Sequence, residues 1–271
     1  MAHERGTDFG LIARNFEQAA ATYEQEALVQ NAMGSELIAV LARTLKEQGQ
    51  DLGVLTGLSA LEIGCGPGNF TQLLLTSVPG LKRLVLNDLS SRLVEQAKTR
   101  VSAQGSCCAL ETYVGNLACA AAPDFAPCDL IISNATLQWL SDLDAALSRF
   151  QALARPHGLL VYSSFLEGTF AELTELLGHS LHYLSADAAR ACLERHCEVL
   201  HFCTKTVVQH FDTSFHLLRH FRDTGVNSLR SEPLSVGQMR RLMLRYEQRY
   251  SDAYGAIPLT WQPYFVVARW R

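Results

Sequence analysis

Three glycines at alternate positions, Gly64, Gly66 and Gly68, close an apolar run from Leu58 to Ile63 and open a helix-compatible segment, Asn69 to Val78. A strand that turns sharply into a helix needs glycine's conformational freedom, and bare main chain there lets a ligand sit against backbone N–H groups. Glu62 lies inside the strand end, and Cys65 falls between the first two glycines. The next apolar run, Arg83 to Asn87, ends in Asp88 and Leu89. A carboxylate at the tip of a second strand can accept hydrogen bonds from both hydroxyls of a ribose. These residue types describe a cradle for a nucleoside. A dinucleotide fingerprint requires G-x-G-x-x-G, and its third glycine would fall at Asn69, which disfavours an NAD-dependent oxidoreductase. The structural alternative is a glycine-rich turn that binds nothing, but a ligand-free turn has no need of both acids and all three glycines.

The elements that must hold this cradle follow from hydrophobic periodicity. Strands are expected at 58–63, 83–87, 110–114, 129–133 and 158–163, with helices at 69–78, 90–104 and 141–154 between them. Ser90 and Ser141 are suitable N-caps for the last two helices. Alternation of this kind implies right-handed crossovers and a Rossmann-like, doubly wound, mostly parallel α/β sheet. Ligands then bind outside the carboxyl ends of the strands. The glycine loop, Asp88, Gly115-Asn116 and Ser133-Asn134 all fall at such ends and should converge on one pocket.

The flanking regions do not alternate. Residues 1–50 read as amino-terminal helices, at 13–23 and 24–47. Helical patterns at 168–178 and 186–196 precede a strand-like stretch at 199–211, and two more follow at 214–224 and 235–250. The apolar stretch 261–270 is strand-like. The expected organisation is one domain over 1–271, with a sheet core at 51–211 and 259–271 and a helical cap at 212–258 inserted before the last strand.

Composition narrows the function classes. A chain of 271 residues with 48% hydrophobic and 18% charged residues is an ordinary globular enzyme in composition. No apolar run is long enough to span a membrane, and the first residues lack the basic and apolar regions of a signal peptide, so a cytoplasmic enzyme is the simplest reading. A net charge of −4 argues against nucleic-acid binding. The densest group among the 8 cysteines, Cys192, His196, Cys197, His201 and Cys203, lacks paired C-x2-C ligands, so no metal site is expected and the cysteines read as small buried hydrophobes.

The pattern Glu62-x-Gly64-x-Gly66-x-Gly68 with Asp88 downstream resembles motif I of the S-adenosylmethionine-dependent methyltransferases. Three further stretches resemble one family among them, the malonyl-acyl-carrier-protein O-methyltransferases of biotin synthesis. They are Asn15 to Tyr23, continuing through Ala27-Leu28 to Gln30; Ser133 to Trp139 after Asp129; and Leu217 to Asn227, with Leu234-Ser235 and Pro258-Leu259-Thr260 beyond. Departures from the family pattern are Asn116 for Asp, whose amide can still hydrogen-bond the adenine edge so that the role is weakened and not lost, and Pro156-His157-Gly158 for Pro-Gly-Gly and Trp261 for a frequent Tyr, neither of which is expected to touch the core chemistry.

The resemblance implies methyl transfer from S-adenosyl-L-methionine to the free carboxyl of a malonyl thioester, leaving S-adenosyl-L-homocysteine. A carboxylate is already ionised at neutral pH, so no general base is needed and the protein must supply orientation and dryness. Expected cofactor contacts are Gln30, Glu62, Gly64, Cys65, Gly66, Gly68, Asp88, Leu89, Asn116 on the adenine edge and Asn134 on the methionine part. For the acceptor, Arg219 is the candidate carboxylate clamp, with Arg222 one helical turn on as a lesser one. Tyr23 could orient the carboxylate or shield the methyl group, and Trp139 and Gln138 could line the acceptor side. Each has a plain alternative: solvated arginines, a packed Tyr, a core Trp. Arg241, Arg245 and Arg249, with Arg240 beside them, form a helical stripe that could dock an acidic malonyl-acyl-carrier protein or could simply be a solvated face. The alternatives in function are a methyltransferase of the same fold acting on another small carboxylate or a quinone precursor, and a noncatalytic nucleoside-binding protein.

Overall fold

A computed structural model describes residues 9–19, 26–103, 108–119, 123, 125–178, 183–224 and 235–271. Two amino-terminal helices, α1 (Phe9–Ala19) and α2 (Leu28–Glu47), precede the alternating core of β1 (Ser59–Ile63), α3 (Asn69–Ser77), β2 (Arg83–Asp88), α4 (Ser91–Ser102), β3 (Ala109–Val114), β4 (Cys128–Asn134), α5 (Leu143–Leu153) and β5 (Ala154–Phe165). Then come α6 (Ala171–Leu177), α7 (Ala186–His196), β6 (Cys197–Thr204), β7 (Val207–Phe211), α8 (Ser214–Asp223), α9 (Val236–Tyr250), β8 (Ile257–Trp261) and β9 (Pro263–Trp270).

The main sheet has the order β3-β2-β1-β4-β5-β9-β6. Its first five strands run parallel, and β9 lies antiparallel between β5 and β6. Every residue of β1, Ser-Ala-Leu-Glu-Ile, is buried, as a central strand covered on both faces requires. One face packs against α2, α3 and α4 through Leu37, Leu41, Leu74 and Val94, the other against α5 and α7 through Phe150, Leu147 and Leu193. The strand order reverses between β1 and β4, and the carboxyl ends of the strands part there to leave a crevice.

The expected doubly wound sheet is present, with local differences. Ser90 caps α4 by accepting from Leu93 N at 3.2 Å, but α5 is capped by Asp142, which accepts from Ala145 N at 2.9 Å, and not by Ser141. The stretches at 199–211 and 261–270 are each broken in two. Their outer parts, β6 and β9, join the main sheet, while β7 and β8 pair as a separate ribbon from Val207↔Trp261 to Phe211↔Ile257. The break is a corner where Lys205 N donates to Pro263 O (2.9 Å) and Thr206 Oγ1 to Gln262 Oε1 (2.9 Å).

The ribbon carries α8 and α9 between its two strands. Thr213 caps α8, and Ser235 with Gln238 forms a capping box on α9. Phe170, Phe221 and Trp261 meet edge-on beneath these helices, with ring centroids 4.6 to 5.3 Å apart. Tyr246 of α9 donates to Pro258 O at 2.6 Å, and Glu172 of α6 accepts from Thr260 N and Oγ1 at 3.1 and 2.5 Å. The family-like Pro258-Leu259-Thr260 is therefore the seam between ribbon and helices. In turn, α8 packs against α1, which closes over the crevice.

Candidate cofactor and acceptor site

A cavity of about 460 Å³ occupies the switch point. Gly64, Gly66 and Gly68 all have left-handed φ, of +72°, +51° and +94°. They are not equivalent. A Cβ on Gly64 would lie 2.2 Å from the Thr136 hydroxyl, and one on Gly68 would lie 2.7 Å from Ala97 Cα. A Cβ on Gly66 would meet nothing within 4 Å. So Gly66 presents bare main chain to open space, Gly64 admits the loop after β4, and Gly68 is absent from the wall because it lets α3 start against α4.

Asn87, which the sequence reading did not single out, organises two loops at once. Its backbone oxygen accepts from Gly64 N and Cys65 N at 2.8 and 2.9 Å, and its amide donates to Tyr113 O and Gly115 O at 3.1 and 2.9 Å. Beside it, Asp88 accepts from Gly66 N (3.0 Å) and Ser90 N (3.1 Å). Desolvation pushes the Asp88 pKa up, and these N–H donors oppose the shift by favouring the carboxylate. Leu89 lies on the cavity wall with it. Asn116 also lines the cavity, its oxygen accepting from Ala118 N at 2.9 Å.

On the β4 side, Asn134 is held from two directions. Its oxygen accepts from Ser163 Oγ at 2.6 Å, and its amide donates to Gln30 O at 3.0 Å, which ties α2 to the sheet. Ser133 reaches back to Ile63 O at 2.8 Å. Trp139 is half-buried on the wall, edge-on to Phe16 of α1 at 5.8 Å. Gln30 is buried with its Oε1 lacking a partner among the described residues.

Other expected residues sit elsewhere. Glu62 lies beneath the glycine loop and off the cavity wall; Oε2 is buried with no partner among the described residues, and desolvation raises its pKa to about 8. Cys65 does line the cavity, and burial drives its thiol well above the usual range. Arg219 does not reach the wall. Its Nε donates to Asp223 Oδ2 at 3.0 Å, and Arg222 Nε donates to Asp223 Oδ1 at 2.9 Å. The buried Asp223 recruits both cations along α8, and its carboxyl is held below the usual range chiefly by Arg222. The cation that does line the cavity is Arg100, bonded to Asn69 Oδ1 at 2.7 Å. Tyr23 lies outside the described residues.

Of the helical stripe, Arg240, Arg241 and Arg245 are exposed and have no ion-pair partner among the described residues. Arg249 pairs instead with Glu175, which also accepts from the Tyr250 hydroxyl. No metal-binding cluster occurs among the described residues, and His196 contacts Asp144 at 2.8 Å. Cys65, Cys108, Cys128 and Cys197 are buried as free thiols.

Known proteins agree with this architecture. Residues 61–160 match a family model described as a methyltransferase domain. In fold, the chain is similar to the solved YcgJ protein of Bacillus subtilis, with a TM-score of 0.59 at 11% identity, covering 88% of this chain and 99% of that chain. A malonyl-acyl-carrier protein O-methyltransferase of Chlorobium luteolum is 32% identical, covering 98% of this chain and 97% of its own length. One from Chlorobium phaeovibrioides is 30% identical, with 96% of each chain covered. Likeness of that extent, over nearly the whole chain, places it in the malonyl-acyl-carrier protein O-methyltransferase family.

Proposed function

We propose that this chain transfers the methyl group of S-adenosyl-L-methionine to the free carboxyl of a malonyl thioester borne by an acyl-carrier protein. The products are the methyl ester and S-adenosyl-L-homocysteine, and the step belongs early in biotin synthesis. What carries the reading is one cavity lined both by Asp88 and the glycine loop and by Phe16 and Trp139, in a chain whose near-full-length relatives bear that name.

The residues present fit the cofactor. The Cβ side of Gly66 faces open space, Asp88 stands at the second strand tip aimed by Gly66 N and Ser90 N, and the Gln30 amide oxygen is buried with no partner among the described residues. In this reading Asp88 holds the ribose hydroxyls, and Leu89 and Asn116 border the adenine. Gly64, Cys65, Gly66, Gln30 and Asn134 hold the methionine part. Glu62 supports the loop from beneath, and Gly68 sets its shape. When bound, the cofactor supplies an electrophilic methyl group on a sulfonium.

The acceptor carboxylate, with a reference pKa of ~4, needs no base at neutral pH. The chain's own contribution is to align it and exclude water. Tyr23 and Trp139 are the acceptor-side candidates. Arg219 joins them only by leaving Asp223. The carrier protein, being acidic, would dock on Arg241 and Arg245, with Arg240 beside them and Arg249 holding α9 to Glu175. The chemistry suits a cytoplasmic enzyme. The test is transfer of labelled methyl to malonyl-carrier protein against acetyl-carrier protein. Base-labile label on the malonyl form alone is expected, and cofactor binding without transfer would overturn the assignment.

A further inference from the structure

Beside the main cavity lies a narrow slot of about 10 Å³, room for one water-sized group. It opens from the cavity past Phe16, Gln30, Ala135 and Trp139, which line both. Phe165, Phe170 and Trp261 line the slot but not the main cavity.

Two independent observations mark this slot as built for a ligand. First, its wall residue Trp261 carries a buried donor, Nε1, with no hydrogen-bond partner among the described residues. An unpartnered buried donor is costly and calls for an acceptor. Second, three non-glycine residues among those described have positive φ, and two of them, Ala135 (49°) and Phe170 (58°), line the slot. Such backbone persists only where the surroundings over-determine it, and it gathers at functional sites. Here Ala135 N is held by Ser163 O at 3.1 Å and Phe170 N by Thr260 O at 2.7 Å.

A carboxylate that attacks through one oxygen must place its other oxygen somewhere dry and still hydrogen-bonded. We propose that the slot takes the non-attacking oxygen of the acceptor carboxylate, with the Trp261 indole N–H as its donor. Indole nitrogen is a donor only, so its missing partner is an acceptor, which a carboxylate oxygen supplies. The inference rests on the methyl-transfer reading. In that reaction the new bond joins the attacking oxygen to the methyl carbon, the carbon–sulfur bond breaks with its electron pair staying on sulfur, and no proton moves. The slot oxygen becomes the ester carbonyl. An acetyl thioester has no carboxylate to place, so the indole N–H stays without an acceptor. Trp261 thus belongs to the acceptor site and not only to the core.

The experiment uses the full chain bound to S-adenosylhomocysteine, with ¹⁵N-labelled tryptophan. Malonyl-pantetheine should shift the Trp261 indole N–H resonance downfield, while acetyl-pantetheine leaves it in place. Trp261→Phe assigns that resonance, and should lower kcat/KM for malonyl-carrier protein about 10- to 100-fold, as loss of a hydrogen bond to a charged group does, with S-adenosylhomocysteine affinity unchanged. An unmoved resonance, or wild-type kcat/KM in Trp261→Phe, overturns the slot assignment alone. Failure of the wild-type chain to methylate malonyl-carrier protein while binding cofactor overturns the functional reading, and the slot with it.

Discussion

At the residue scale, the site shows how one residue type does different work in adjacent positions. Gly66 and Gly68 are both left-handed, yet only Gly66 borders open space. Gly68→Ala adds a side chain 2.7 Å from Ala97 Cα, whereas Gly255→Ala, at φ +83° with nothing nearby, adds backbone strain alone. Thermal melts should show Gly68→Ala losing about 3 kcal/mol and Gly255→Ala about 1 kcal/mol. Equal losses would mean that the loop moves aside freely. Asp88 is already bonded to Gly66 N and Ser90 N, which aim its carboxylate before any ligand arrives. Asp88→Asn should weaken S-adenosylhomocysteine binding about 10- to 100-fold by calorimetry, the worth of a charge-assisted hydrogen bond. Both effects concern residues named by spacing alone.

At the scale of elements, pairing decides which arginines are available. The i,i+4 spacing of Arg219 and Asp223 was visible in the chain, but spacing does not say whether an arginine serves a neighbour or a substrate. In the structure both Arg219 and Arg222 bond the buried Asp223, a pairing that a buried carboxylate requires because it is costly without a cation. On α9, Arg241 and Arg245 stay exposed while Arg249 is spent on Glu175. Reversing both charges, Arg241→Glu with Arg245→Glu, should raise KM for malonyl-carrier protein about tenfold and flatten its salt dependence, with KM for malonyl-pantetheine unchanged. A change equal for both acceptors would assign the two arginines to the fold. The broken strands teach the same lesson. Apolar content marked 199–211 and 261–270 as strand-like, but the corner at Thr206 and Gln262 exists only because the two halves pair in different sheets.

For the molecule as a whole, two buried titratable groups set a pH profile. His220 is packed among Phe211, Phe221 and Trp261, and burial lowers its pKa from 6.5 to about 4. The unfolded chain takes up the proton first, so this stability is full above pH 6.5 and is lost as pH falls toward 4, by about 3 kcal/mol. Glu62 works the other way. Its folded pKa of about 8 exceeds the usual 4.5, so its contribution is full below pH 4.5 and is lost as pH rises through 8, a loss on the order of 5 kcal/mol. The two trends oppose each other between 4.5 and 6.5, and from pH 6.5 to 8 the Glu62 contribution falls with no opposing change from His220. Melting temperature should therefore fall across that window, and Glu62→Gln should flatten the fall. A flat profile in the unsubstituted chain would contradict the burial of Glu62.

What the chain determined by itself is local. Apolar runs too short for anything but strands, glycines where the backbone must turn left-handed, an acid at a strand tip and a serine at a helix start depend on neighbours in sequence, and each was legible there. Tertiary structure decided which of these meet. Asn134 reaches Gln30 O, and Ser163 fixes the Asn134 oxygen, because the strand order reverses beside β1. Asn87 became an organiser by standing between two loops. Trp261 lines the slot beside the main cavity because β8 pairs with β7 and not with the main sheet. Hydrophobic periodicity reports which face of an element is buried, but it carries no information about what that face is buried against, and the chemistry of the site resides in those partners.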